Sequence, residues 1–147
     1  MQIQKVRPFL WFNNQAAEAA HFYCSLFPAS KVLSDSGQIV EFELEGMRVL
    51  GLNGGPVFQL SESFSFFVLC EDQNEVDHLW DNLTAEGGSE GQCGWCKDRF
   101  GLSWQIVPQR FMELVQSGTS EQTQRVTQAM LRMRKMIVAD LEAAFAG

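Results

Sequence analysis

The stretch Phe9-Leu-Trp-Phe-Asn-Asn-Gln-Ala-Ala-Glu-Ala-Ala-His-Phe-Tyr-Cys-Ser-Leu-Phe-Pro28 changes its hydrophobic period partway along, and that change decides the fold. Residues 6–12 (Val-Arg-Pro-Phe-Leu-Trp-Phe) read as a short buried strand. Residues 15–27 hold good helix formers with an apolar stripe at Ala19, Phe22, Tyr23 and Leu26. Asn13 or Asn14 is suited to cap that helix, and Pro28 stops it. The pattern returns 57 residues later. Phe9, Phe22, Tyr23 and Leu26 answer to Phe66, Leu79, Trp80 and Leu83, while Glu18 and His21 answer to Glu75 and His78. An offset held across several residue types is the mark of an internal repeat.

Working outward, residues 38–45 alternate, with Ile39, Glu41 and Glu43 opposed to Val40, Phe42 and Leu44, as in a half-buried strand. Gly46 turns into a strand at 47–52, closed by Asn53-Gly54-Gly55-Pro56. In the second half, 64–70 is strand-like, and Asp72 caps a helix over 73–85 with Val76, Leu79, Trp80 and Leu83 on one face. Gly87-Gly88 ends it. Weaker strand signals follow at 89–97, and a last strand at 102–107 stops at Pro108. The expected fold is α+β: two tandem β-α-β-β-β modules, at about 1–57 and 58–108, and a helical tail at about 109–147. The tail shows Val126, Ala129, Met130 and Met133 on one helical face and another helix near 138–145. It is expected to pack on the rest of a single domain or on a second subunit.

A 147-residue chain of 46% apolar residues buries a core without staples. Its net charge of −7 speaks against nucleic-acid binding, which needs clustered Lys and Arg. No apolar run reaches the ~18 residues of a membrane span, and the start lacks a signal peptide's apolar region, so a cytoplasmic protein with reduced cysteines is expected.

Three stretches carry a resemblance to a known family: Phe9 to Pro28, Val49-Leu-Gly-Leu-Asn-Gly-Gly-Pro56, and Gly94-Trp-Cys-Lys-Asp-Arg-Phe-Gly-Leu-Ser-Trp-Gln-Ile-Val-Pro108. The sequence resembles the PhnB-like proteins of the vicinal oxygen chelate superfamily, with glyoxalase I and the bleomycin-resistance proteins, over nearly the whole chain including the tail. The resemblance implies paired modules whose sheets curl into an open cup, in a homodimer. Members of the subgroup are often labelled demethylubiquinone methyltransferase-like. A methyl donor usually sits on a Gly-rich turn entering a helix, whereas Asn53-Gly54-Gly55-Pro56 leads into proline.

Metal-dependent relatives hold a divalent ion with His and Glu from four strands. The resemblance places those positions at Pro8, Ser65, Leu50 or Gly51, and Gln105, so no metal and no cofactor is expected. The two histidines, His21 and His78, fall in helices. Cys93-Gly94-Trp95-Cys96 is a CxxC, but it lies in a strand-like stretch rather than at a helix N-terminus, and a zinc site needs two further ligands. Lys97, Asp98 and Arg99 suit either an anion contact or a solvated turn.

With Gln105 at a ligand position, its face becomes the cup interior. The same parity turns Leu10 and Phe12 inward from the first strand and Ser65 and Phe67 from the fifth. The expected ligand-binding cup is therefore Leu10, Phe12, Asn53, Ser65, Phe67, Ser103 and Gln105: apolar walls with scattered polar groups. Two functions follow. One is a module binding a small apolar or aromatic molecule without metal. The other is a metal-independent transferase, lyase or isomerase, with Glu41, Glu43 and Gln105 as candidate catalytic residues.

Overall fold

Burial alternates along the strands and recurs every three to four residues along the helices, and together these periods build two sheets, each covered by a helix. The computed structural model describes residues 3–147. In chain order the elements are β1 Phe9–Phe12, α1 Ala16–Leu26, β2 Ser30–Asp35, β3 Ile39–Leu44, β4 Met47–Asn53, β5 Ser65–Cys70, α2 Gln73–Thr84, β6 Ser89–Glu90, β7 Trp95–Lys97, β8 Ser103–Pro108, α3 Gln109–Ser117, α4 Ser120–Leu131 and α5 Val138–Ala146. The sheets run β1-β4-β3-β2 and β5-β8-β7-β6, so the second module repeats the strand order of the first. The chain divides into two units, Met1–Ser61 and Glu62–Gly147, and the tail belongs to the second.

In the first unit β1 runs parallel to β4, while β3 is antiparallel to β4 and β2. Helix α1 buries Ala16, Ala19, Ala20, Tyr23 and Leu26, and Tyr23 lies 6.2 Å from Phe42. The helix comes close to the sheet at Gly51, where a Cβ would lie 3.3 Å from the Phe12 ring and 3.5 Å from Ala16. Neither Asn13 nor Asn14 caps α1, whose N-cap is Gln15 without a side-chain bond. Asn53 at the end of β4 takes that role: its Oδ1 accepts the Ala16 N–H at 2.8 Å, and its Nδ2 donates to the Gly37 carbonyl at 3.1 Å. Strand β2 is a bulged edge strand. Only Val32 and Leu33 are apolar in it, which left no period to read.

In the second unit β5 runs parallel to β8, and β7 is antiparallel to β8 and β6. Asp72 caps α2 through the Glu75 N–H at 2.9 Å, as expected, and Val76, Leu79, Trp80 and Leu83 are buried. Phe66 and Trp104 meet at 5.2 Å within this core. Beyond Pro108 the chain enters α3 at once, within the expected helical tail but ahead of the two helical stretches picked out there. Val107, Leu114, Val126, Met136 and Leu141 form one buried cluster, with Met130 and Met133 against it. The extended segment between α4 and α5 is tied down by Cys93 N–H to Met133 O and Gly94 N–H to Arg134 O, both 2.8 Å. Gln73 adds two bonds, to Met136 O at 3.0 Å and from Val138 N–H at 2.7 Å. The tail thus packs on its own unit.

Candidate functional site

The face of the second sheet turned away from α2 reads as three rows. Register sets Ser65 beside Ser103 and Ser103 beside Lys97; the next row holds Phe67, Gln105 and Trp95; the third holds Leu69 and Val107. Side chains two apart on a strand share a face, so the four candidates Ser65, Phe67, Ser103 and Gln105 come together. Gln105 Nε2 donates to Ser65 Oγ at 3.0 Å. Phe67 and Leu69 remain 53% and 45% exposed, while Val107 is covered by the tail cluster.

A cavity of about 250 Å³ lies along β6 and β7 next to this polar end, lined by Ser89, Lys97 and Ser103 from the free face and by Glu90 and Cys96 from the other, with Glu62 and Trp95 beside them. Ser103 is 1% exposed, and its Oγ has no hydrogen-bond partner among the described residues. Lys97 Nζ pairs with the Glu62 carboxylate, and that hydrogen bond holds Glu62 below the usual carboxylate range. Glu90 accepts from Trp80 Nε1 at 2.8 Å and meets Arg134 at 3.4 Å; the Trp80 bond is the main reason its carboxyl also lies low.

Leu10 and Phe12 lie on the other kind of face. Both are buried, at 2% and 4% exposure, and the Phe12 ring sits over Gly51 beneath α1. The inward parity assigned to β1 is therefore reversed. Three residues, Asn13 to Gln15, join β1 to α1, whereas two, Glu71 and Asp72, join β5 to α2. One extra residue in the connection exchanges the two faces of a strand. Asn53 is likewise withdrawn from a ligand, its side-chain amide being spent on α1 and Gly37.

The free face of the first sheet carries Phe9, Trp11, Leu50, Leu52, Glu41 and Glu43 by register. Glu41 is held by two guanidinium groups, Arg7 at 3.4 Å and Arg48 at 3.3 Å. Glu43 stands beside Arg48 and Lys31 in the ladder. Trp11 Nε1 donates to Gly55 O at 2.9 Å, and its ring meets Phe58 edge-on at 4.9 Å. A Cβ at Gly54 would fall 2.3 Å from that ring. The Gly-Gly-Pro turn is thus shaped around Trp11.

The donor set does not suit a divalent ion. Pro8, Leu50 and Gly51 offer no ligand atom; neither do Phe9 nor the cationic Arg7, the free-face neighbours of Pro8. Ser65 and Gln105 are bonded to each other. Among the described residues no three His, Cys, Asp or Glu side chains converge. The CxxC is split: Cys93 sits at φ 59 and its thiol faces Leu131 O at 3.8 Å, whereas Cys96 is buried in β7. Burial, then Asp98 and Glu90, push the Cys96 thiol up to about 12, so it stays protonated. Asp98 departs from the solvated-turn reading. It is 2% exposed; Oδ1 accepts from Phe100 N–H and Leu102 N–H at 2.9 and 3.1 Å, and Oδ2 from Trp104 Nε1 at 2.9 Å. It fixes the loop that delivers Ser103, and only an Asp four residues before Leu102 hinted at that turn.

A family model described as 3-demethylubiquinone-9 3-methyltransferase matches residues 4–107. No curated protein matches. Among solved structures, a putative 3-demethylubiquinone-9 3-methyltransferase, a PhnB protein from Bacillus cereus, is 27% identical with TM-score 0.65, over 71% of this chain and 99% of that one. A glyoxalase-related enzyme from Fulvimarina pelagi is 17% identical with TM-score 0.51, over 72% and 88%. The fosfomycin resistance protein FosX from Listeria monocytogenes is 13% identical with TM-score 0.51, over 71% and 89%. The last two show the fold alone. The matched family region stops at residue 107, so the tail lies outside it, contrary to the reach first expected of the resemblance. With that region spanning both β-α-β-β-β modules, the chain belongs to the PhnB-like, 3-demethylubiquinone-9 3-methyltransferase family, on a fold it shares with the glyoxalase-related enzyme and the fosfomycin resistance protein.

Proposed function

We propose that this protein binds a small apolar or aromatic molecule on the free face of its second sheet, without a chelated metal. The observation that carries this reading is the company kept by Phe67 and Leu69. Both are exposed near a ready hydrogen-bonding pair, Ser65 and Gln105, and a cavity lined in part by Ser103, whose buried Oγ has no hydrogen-bond partner among the described residues. Ligand sites have this make-up: apolar walls with few oriented polar groups. Covering exposed apolar area is favourable by ~25 cal/mol per Å². The first sheet is less suited, since ion pairs hold Glu41 and a glycine turn covers Trp11. Turnover is the weaker reading, because the Glu41 carboxylate is engaged by two cations. Methyl transfer has no support in the Gly54–Gly55 turn, which the Trp11 ring fills. A homodimer, expected from the family, belongs to the same proposal.

Thermal-shift and ligand-observed NMR titration with neutral aromatic compounds tests this. Saturable binding, lost in Phe67→Asp, is the expected result. Binding that is absent throughout, or indifferent to Phe67→Asp, contradicts it.

A further inference from the structure

We infer that the polar end of this face recognises a carboxylate, so that the ligand is a small aromatic acid; this rests on the binding role proposed above. The first row sets Ser103 opposite Lys97 on neighbouring strands, two residues whose side chains each carry a hydrogen-bond donor. Ser103 is buried at 1% exposure with its hydroxyl unpartnered, and a ligand oxygen relieves that cost. Lys97 has Glu62 as its partner, but the Glu62 side chain is 66% exposed. Ion pairs in solvent are weak and exchange readily, so a carboxylate sheltered in the cavity can take its place.

Of the two acidic groups lining the cavity, Glu90 is engaged on both oxygens, by Trp80 and Arg134. Glu62 is the one that a ligand must displace. A carboxylate offers one oxygen to each donor, and bonds from an ammonium to a carboxylate are among the stronger kind. The second row then supplies Trp95 and Phe67 on either side of Gln105, where an aromatic ring attached to that carboxylate lies. The cavity of about 250 Å³ falls just below the ~300–1,000 Å³ usual for ligand sites, which suits one ring on a short arm.

The test is calorimetric titration of the whole protein with three probes matched in ring and length: phenylacetate, phenylacetamide and phenethylamine. Phenylacetate is expected to bind at least tenfold more tightly than the amide. Lys97→Met abolishes that preference, Ser103→Ala weakens the acid severalfold, and Glu62→Gln tightens it by removing a competitor. Circular dichroism confirms that each variant is folded. Equal binding of acid and amide, preference for the amine, or an unchanged acid affinity in Lys97→Met overturns the carboxylate assignment and leaves the binding role standing. Failure of all three probes to bind removes both.

Discussion

Gln105 on β8 donates from Nε2 to Ser65 Oγ on β5, 3.0 Å away, across the parallel pair that also sets Phe67 beside Gln105. The bond orients the Gln105 amide on the free face. Ser65→Ala should therefore cost ~1 kcal/mol of stability and release the amide. Affinity for a neutral aromatic is expected to fall severalfold, measured by titration, while the melting point moves only a few degrees.

Asn53 is the cap of α1 although it lies 37 residues from the N–H that it accepts. Asn53→Ala should destabilise the protein by ~1 kcal/mol or somewhat more, since a second bond to Gly37 is lost too. Asn13→Ala and Asn14→Ala should each stay within about 0.5 kcal/mol. Urea denaturation of the three variants separates the cases.

How much of this was legible is best seen in β1 and β8. The helix stripes of α2 and the shared face of Ser103 and Gln105 follow from periods of 3.6 and 2, which local sequence carries. The face of Leu10 and Phe12 does not, because it depends on the length of the connection to α1, and an offset measured through the helix hides one extra residue. Asn53 was unreadable for another reason: its partner is remote in sequence. Asp98 looked like part of a charged turn, and its burial is decided by Trp104, which reaches back to it.

Asp98→Ala should be among the most damaging single changes. It strands the Phe100 and Leu102 N–H groups and the Trp104 indole N–H. Loss of ~3 kcal/mol or more is expected, at ~1–3 kcal/mol for each buried unsatisfied donor partly offset by relaxation. Asp98→Asn should recover part of that loss, and chemical denaturation measures both.

Two buried thiols resist ionisation. Cys70 and Cys96 are both pushed up from 9.0 to about 12, chiefly by burial. A group whose folded value is raised contributes stability below its unfolded value and loses it as pH climbs toward the folded one. Stability should therefore hold to about pH 9 and decline from there toward 12. Alkylation of the native protein near pH 8 should spare Cys70 and Cys96, with mass mapping of the modified residues as the check.

The tail is part of the second unit's core rather than a loose appendage. Leu141→Ala removes a fully buried side chain from the cluster containing Val107 and should cost ~2–5 kcal/mol. Equilibrium unfolding measures it, and a cost near zero would mean that the tail does not support β8.

The most direct measurement is an ¹⁵N NMR titration with phenylacetamide, a neutral aromatic probe. The account predicts saturable shifts at the Gln105 side-chain amide and at the backbone of Ser65, Phe67, Trp95 and Ser103, with little change around Leu10 and Phe12. Shifts confined to the first unit, or none at saturating probe, would contradict a ligand site on the free face of the second sheet.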